Sequence, residues 1–284
     1  MLSHAESTSA KSLSYIGFSV FANAPHTESL AMGYCIRFCW ALLLLSGSVQ
    51  VRADETLIYV TEDYPPYNFS DNNILRGIAV DLLVLASQQT AQPVLRSHIR
   101  LMPWARSYRS TLKKPNHVLF STTRTAEREK LFKWAGPIAS SRVVLLAKKS
   151  RALRIDAVTD LQRYRIGSIR DDVGEQLVRS LGAQDSQLNL AANSDALVQQ
   201  LQAGRIDLWA TNETVAHWFL RNADLDPDDF ESIYLLQAGE LWYAFNPQVS
   251  DEKVQELQKA IDRIRQTPGI SGKTRYDDIL IDYL

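Results

Sequence analysis

The residues best equipped for chemistry in this chain are one arginine, three aromatics and a pair of aspartates. Arg128 follows a short run that carries hydroxyls at Thr123 and Thr125. A guanidinium presents a planar fork that pairs bidentately with a carboxylate, so this segment has the make-up of a carboxylate-binding loop. Glu127 and Glu129 flank it, and a surface arginine in a charged turn is the other reading of the same residues. Tyr64, Tyr67 and Trp104 supply flat apolar area, as core or as walls for a ligand stem. Aromatic faces also attract cations, by roughly 0.5–2 kcal/mol. Arg106, two residues beyond Trp104, faces either a ligand or solvent. Asp172 and Glu175 have the spacing of a helix cap, and Asp171 precedes them. Trp209 and Trp242 fall inside apolar runs and read as core.

Other chemistries lack their carriers. No GxGxxG, GxxxxGK[ST] or GxSxG occurs, which removes dinucleotide, phosphate-loop and nucleophile-elbow readings. His98, His117 and His217 are scattered, without the clustering a zinc site needs. The two cysteines, Cys35 and Cys39, both lie near the N-terminus. The expectation is therefore no metal and no cofactor. The 284 residues have formal net charge −1, with 45% hydrophobic and 22% charged residues. That composition excludes collagen-like, disordered and polytopic membrane classes. A near-neutral chain without a long basic run argues against nucleic acid as partner.

The elements that must position these residues begin after a leader. Residues 1–31 are polar and aperiodic. From Met32 the pattern is Arg37 as a short positive region, an apolar stretch from Phe38 to Leu45, and Val51-Arg52-Ala53 before Asp54. That order is a secretory signal peptide, too short for a membrane span. It predicts a start at Met32, cleavage after Ala53 and a soluble exported protein. No cysteine stands at a lipid-attachment position, and no later apolar stretch is long enough to span a bilayer.

Beyond it, short apolar runs alternate with helical periodicities. Strands are expected at 56–60, 94–101, 118–120, 142–149, 165–169, 187–191, 205–210, 233–237 and 241–246. Helices are expected at 77–90, 104–112, 160–164, 173–181, 194–203, 213–220 and 254–265. Residues 62–73, with two prolines, read as a loop. The alternation argues an α/β fold with mainly parallel sheets. Two internal series contain too many units for one compact sheet.

Three blocks together resemble family 3 of the bacterial solute-binding proteins, the polar-amino-acid-binding group. The first is Tyr64-Pro65-Pro66-Tyr67-Asn68-Phe69, followed by Gly77-Ile78-Ala79-Val80-Asp81-Leu82. The second runs from Ser121 to Lys130 and ends at Trp134-Ala135-Gly136-Pro137-Ile138. The third is Asn193 to Ala210, then Asn212. Together they span about residues 56–283, and their order and spacing are specific where each block alone is not. The resemblance implies a two-lobed periplasmic binding protein-like fold, each lobe a mainly parallel sheet flanked by helices. Two hinge strands would lie near 142–149 and 233–240. Residues 54–143 would form the first part of lobe 1, 144–236 lobe 2, and 237–284 the return to lobe 1. The ligand would sit between the lobes at the carboxyl ends of strands.

In that family the arginine matching Arg128 holds a ligand carboxylate, and an aromatic at the position of Trp104 flanks the ligand stem. The resemblance thus implies a site of Tyr64, Tyr67, Trp104, Thr123, Arg128, Asp171, Asp172 and Asn212. Two departures stand out. Where the family offers a Gly-Thr pair at a helix N-terminus, this chain has Asp171-Asp172, which oppose a ligand anion. Where the family has an acid for an α-amino group, this chain has neutral Asn212, unless Asp171, Asp172 or Glu213 replaces it. The implied function is an exported, monomeric protein that captures a small polar amino-acid-like ligand, carrying a carboxylate, between its two lobes for a membrane permease of an ABC-type importer. The alternatives are a dehydratase-like periplasmic enzyme, with Glu213 as its one candidate general acid, and a soluble sensor subunit.

Overall fold

A computed structural model describes residues 56–284. The expected leader and signal peptide, with Cys35 and Cys39, lie outside the described residues. Strand β1 (Ile58–Thr61) is the first buried run, and the loop after it carries a short hairpin, β2 (Phe69–Asp71) with β3 (Ile74–Arg76). Helix α1 (Ile78–Ser87) follows Gly77, then β4 (Arg100–Leu101), α2 (Trp104–Lys113) and β5 (His117–Thr123). Strands β4, β1 and β5 lie side by side and parallel. The second series, β7 (Ile166–Ile169), α3 (Val173–Ser180), β8 (Leu188–Ala191), α4 (Ser194–Gln202) and β9 (Leu208–Asn212), repeats the pattern, with β7 parallel to both β8 and β9. Helix α5 (Glu213–Asn222) then leads on, and α6 (Asp251–Gln266) and α7 (Arg275–Ile281) close the chain.

Between the two parallel trios run two 16-residue strands, β6 (Lys133–Lys148) and β10 (Phe230–Phe245). They are antiparallel along their whole length, from Phe230 opposite Lys148 to Phe245 opposite Lys133. One end of β10 pairs with β5, and the other end of β6 pairs with β9. The two series therefore do not form separate sheets. They are joined into one eight-stranded sheet in the order β4-β1-β5-β10-β6-β9-β7-β8.

The sequence reading undercounts these long strands for a physical reason. Residues 231–240 alternate between half-buried and exposed with no buried face, so no hydrophobic period marks them, and two separate strands were expected there. Register shifts at Ser232/Tyr234, Leu235/Gln237 and Leu241/Tyr243 let the strand stay paired while it twists. Likewise β6 begins at Lys133, well before residue 142. Of the strand expected at 94–101, only Arg100–Leu101 pairs, behind a 3-10 turn at Arg96–His98. The proline loop runs into the β2–β3 hairpin, and α7, which buries Tyr276 and Ile279, was not among the expected helices.

Two glycines fix close approaches that matter for the site. Gly77 has φ 122°, and a Cβ there would come within 2.4 Å of the Tyr67 carbonyl oxygen. It lets the Tyr64–Asn68 loop lie directly beneath the start of α1. A Cβ on Gly174 would meet the Ala210 carbonyl oxygen at 2.4 Å, so α3 packs against β9 only with glycine there. The main core joins β1, α1, β5, β10 and α6 around Val60, Leu82, Leu119, Phe120, Tyr243 and Ile261. A smaller one, with Leu145, Ile166, Val178 and Leu208, sits under the second series. Among the described residues no helix is long and apolar enough to cross a membrane.

Candidate functional site

The chain leaves β5 and turns sharply at Thr125, where the Arg128 N–H donates to the Thr125 carbonyl at 3.1 Å and its hydroxyl at 3.3 Å. This turn points Arg128 inward, and the residue is 1% exposed. It is not a surface arginine in a charged turn. Its Nε donates to Gln176 Oε1 at 3.0 Å and its Nη1 to the Thr123 carbonyl at 3.3 Å. Its Nη2 is buried with no hydrogen-bond partner. A buried, unsatisfied donor on a charged group is costly, and in a native fold such a group marks strain or a role in binding.

Helix α2 covers the guanidinium. Trp104 and Tyr108 are four residues apart, so they share one helix face. Their rings stack with centroids 5.6 Å apart, and the Arg128 Cζ lies 5.3 and 5.2 Å from the two ring centres. Both faces thus meet the cation, a favourable arrangement.

Two buried acids face the same guanidinium. Asp172, at the N-cap position of α3, is pushed above the ordinary carboxylate value by burial, against Arg128 and the Val173 and Gly174 N–H groups. Glu62 keeps part of its surface open but sits deep in the molecule. Burial, then Asp172 and Asp63, push it well above the ordinary value, with Arg128 opposing. Burial pulls Arg128 itself down, against Asp172 and Tyr108. One fixed cation therefore answers two carboxylates. An adjoining cavity of about 250 Å³ is lined by Glu62, Asp63, Met102, Asn193, Asp195 and Phe219. It carries three acids on partly apolar walls.

Other expected residues stand further back. Tyr64 and Tyr67 are buried with ring centroids 5.8 Å apart, and the Tyr67 hydroxyl donates to the Ser140 carbonyl at 3.3 Å. Burial, and after it Asp172 and Glu62, hold the Tyr64 hydroxyl well above its ordinary value. That places Tyr64 within the field of the two acids. Their loop is held by Asn68, whose Nδ2 donates to the Glu62 carbonyl at 2.6 Å and whose Oδ1 accepts from the Ser121 hydroxyl. Thr123 reaches Arg128 through its carbonyl. Asn212 caps α5: its Oδ1 accepts from the Val215 N–H at 3.1 Å and its Nδ2 donates to Ser141 Oγ at 3.0 Å. The neutral residue at the family's acid position is thus committed to structure. The Asp171 carboxylate pairs with Arg109 at 2.6 Å. Asp171, not Asp172, donates its N–H to the Glu175 carboxylate, at 2.7 Å, so the cap-like spacing works one residue earlier than expected.

Glu213 pairs with Arg142 at 2.8 Å and accepts from the Ser232 hydroxyl at 2.6 Å. Partial burial raises its carboxyl, but these partners outweigh it and hold it below the ordinary value. A general acid needs the opposite. Arg106 is exposed. Trp209 is core, whereas Trp242 is half-buried, with the Arg124 guanidinium 4.6 Å from its ring centre. Among the described residues no group of His, Cys, Asp and Glu is placed to hold a metal ion.

Glu62, Tyr108 and Gln176 were not expected. Tyr108 was legible, one helical turn from Trp104. Gln176 lies four residues after Asp172, on the same face of α3. Glu62 carried no signal beyond being an acid at a strand end.

The sequence profile of the bacterial extracellular solute-binding proteins, family 3, matches residues 57–270. No curated protein matches the chain. Among solved structures, an ancestral arginine-binding protein bound to arginine is similar at TM-score 0.66 and 20% identity, covering 81% of this chain and 99% of that one. A substrate-binding protein of an ABC uptake transporter from Streptococcus pneumoniae, with bound histidine, has TM-score 0.67 at 15% identity, covering 80% and 92%. A histidine kinase sensor domain similar to periplasmic binding proteins has TM-score 0.68 at 19% identity, covering 80% and 96%. At these identities the likeness is one of fold.

Proposed function

The chain belongs to the bacterial extracellular solute-binding proteins, family 3, and from that premise we propose that it captures a small amino-acid-like solute at Arg128 and delivers it to a membrane permease. The observation that carries this reading is the buried Arg128 fork, with Nη2 unpartnered and the faces of Trp104 and Tyr108 against it. A carboxylate is the group that answers such a fork. The lobes in this reading are residues 54–143 with 237–284, and 144–236. They close about β6 and β10, the strands that run through both parallel trios. Export through cleavage after Ala53 places the protein in the periplasm, where it works as a monomer.

The ligand carries a positive group as well as a carboxylate. Asp172 and Glu62 outnumber the one guanidinium, and the adjoining cavity adds Asp63 and Asp195. Neighbouring folds that hold arginine and histidine favour the same class. An enzymatic role is not favoured, since the carboxyl of Glu213 is held ionised by Arg142. The fold serves a kinase sensor domain elsewhere, so a transporter role rests on a permease encoded beside this chain.

Thermal shift against amino acids, amines and organic acids tests the reading, because a ligand bound only by the native state raises Tm. An amino acid that raises Tm in the wild type and not in Arg128→Ala supports it. A panel in which only carboxylate-free compounds act, or in which Arg128→Ala responds like the wild type, overturns it.

A further inference from the structure

Asp171 occupies the left-handed region, with φ 61°, which residues other than Gly, Asn and Asp seldom adopt. That backbone aims its carbonyl and its carboxylate at the same helix. The carbonyl accepts from Trp104 Nε1 at 2.8 Å. The carboxylate Oδ2 accepts from Arg109 Nε at 2.9 Å and Nη2 at 2.6 Å. The N–H donates to Glu175 Oε2 at 2.7 Å, and Gln176 Nε2 adds a second bond to the carbonyl at 3.3 Å. One residue of the second series thus holds two residues of α2, and Trp104 is the one whose ring lies 5.3 Å from the Arg128 Cζ.

We propose that Asp171 is a clasp that holds α2 against the 170–172 loop when the cleft closes. The proposal rests on the two-lobe reading above. The strength of the clasp suits a reversible role. The Arg109 and Asp171 side chains are 59% and 33% exposed. An ion pair so exposed is weak and screened by salt, so it biases closure without welding it. With the left-handed backbone of Asp171, the carbonyl and the carboxylate both reach α2.

Paired spin labels measure closure without a ligand. Cysteines are introduced at Lys113 and Ser186, both exposed, in the chain from Asp54 onward, which holds no other cysteine. The distance distribution then reads the open-to-closed ratio. Asp171→Asn keeps the left-handed backbone and removes the charge, and Arg109→Gln removes its partner. Each is expected to raise the open fraction about two- to fivefold, with Tm unchanged and no further rise in the double variant. Arg109→Lys, which keeps a charge, should restore most of the closed fraction. About 1 M NaCl should open the wild type by a similar factor and leave Asp171→Asn unmoved. Two populations whose ratio none of these changes would overturn the clasp and leave the two-lobe reading standing. A single population that neither salt nor any variant shifts would overturn both.

Discussion

Arg128 Nε donates to Gln176 Oε1 at 3.0 Å, across 48 residues of sequence. The donor comes from the turn after β5 and the acceptor from α3, so the bond ties the first βα series to the second. The Thr123 carbonyl takes Nη1, which leaves Nη2 as the free tine of the fork. On the proposed reading, the protein's own groups already take part of the fork, and a ligand carboxylate would meet the remaining Nη2 donor.

Removing the fork is the most direct test. Arg128→Ala should weaken ligand binding by about 30- to 4,000-fold, since losing one partner of a buried charge pair costs on the order of 2–5 kcal/mol. Calorimetry with the amino acid found by thermal shift measures it. An unchanged dissociation constant would reduce Arg128 to a structural cation.

The buried acids make a pH prediction. Glu62 and Asp172 are both raised above their unfolded values, first by burial. A raised carboxyl binds its proton more tightly in the folded state, so stability falls as pH rises from the ordinary carboxylate range through the raised values. Glu62→Gln removes part of that burden. It should raise Tm at neutral pH and flatten the decline of Tm between the ordinary carboxylate range and neutrality. A variant with the wild-type slope would place Glu62 in solvent.

Ligand charge follows from the same groups. A zwitterionic or cationic amino acid should bind in preference to glutamate, aspartate or a simple dicarboxylate, whose second charge would face Asp172, Glu62 and the acid-lined cavity. Binding of a basic or neutral amino acid should weaken in Asp172→Asn. Calorimetry showing a preferred dicarboxylate would end the charge argument.

Packing under the site gives a stability prediction. Gly174→Ala should cost about 1–3 kcal/mol by overpacking, because the new Cβ would have to displace the backbone of β9 at Ala210. Urea unfolding would register it, and a neutral result would show that α3 can slide on the sheet without loss.

The alternation of apolar runs with helical periods determined the α/β class from the residues alone, because parallel strands are buried on both faces and amphipathic helices on one. Residue type alone left Arg128 open between a carboxylate partner and a surface charge, and Tyr64, Tyr67 and Trp104 open between ligand wall and core; the resemblance of the surrounding blocks turned Arg128 and Trp104 toward a site. What sequence could not carry was direction. Whether Arg128 turns inward depends on the Thr125 turn. Whether Asp172 faces a cation, with Asp171 on Arg109, depends on a left-handed residue and on α3 packing against β9 through Gly174. Strands β6 and β10 were only partly visible: residues 231–240 of β10 bury no face and leave no period to read, and of β6 only the apolar second half was expected as a strand. Glu62 gained its role only when folding placed it beside Asp172 and Arg128. Burial and neighbouring charge set a carboxylate's behaviour, and both are properties of the packed molecule.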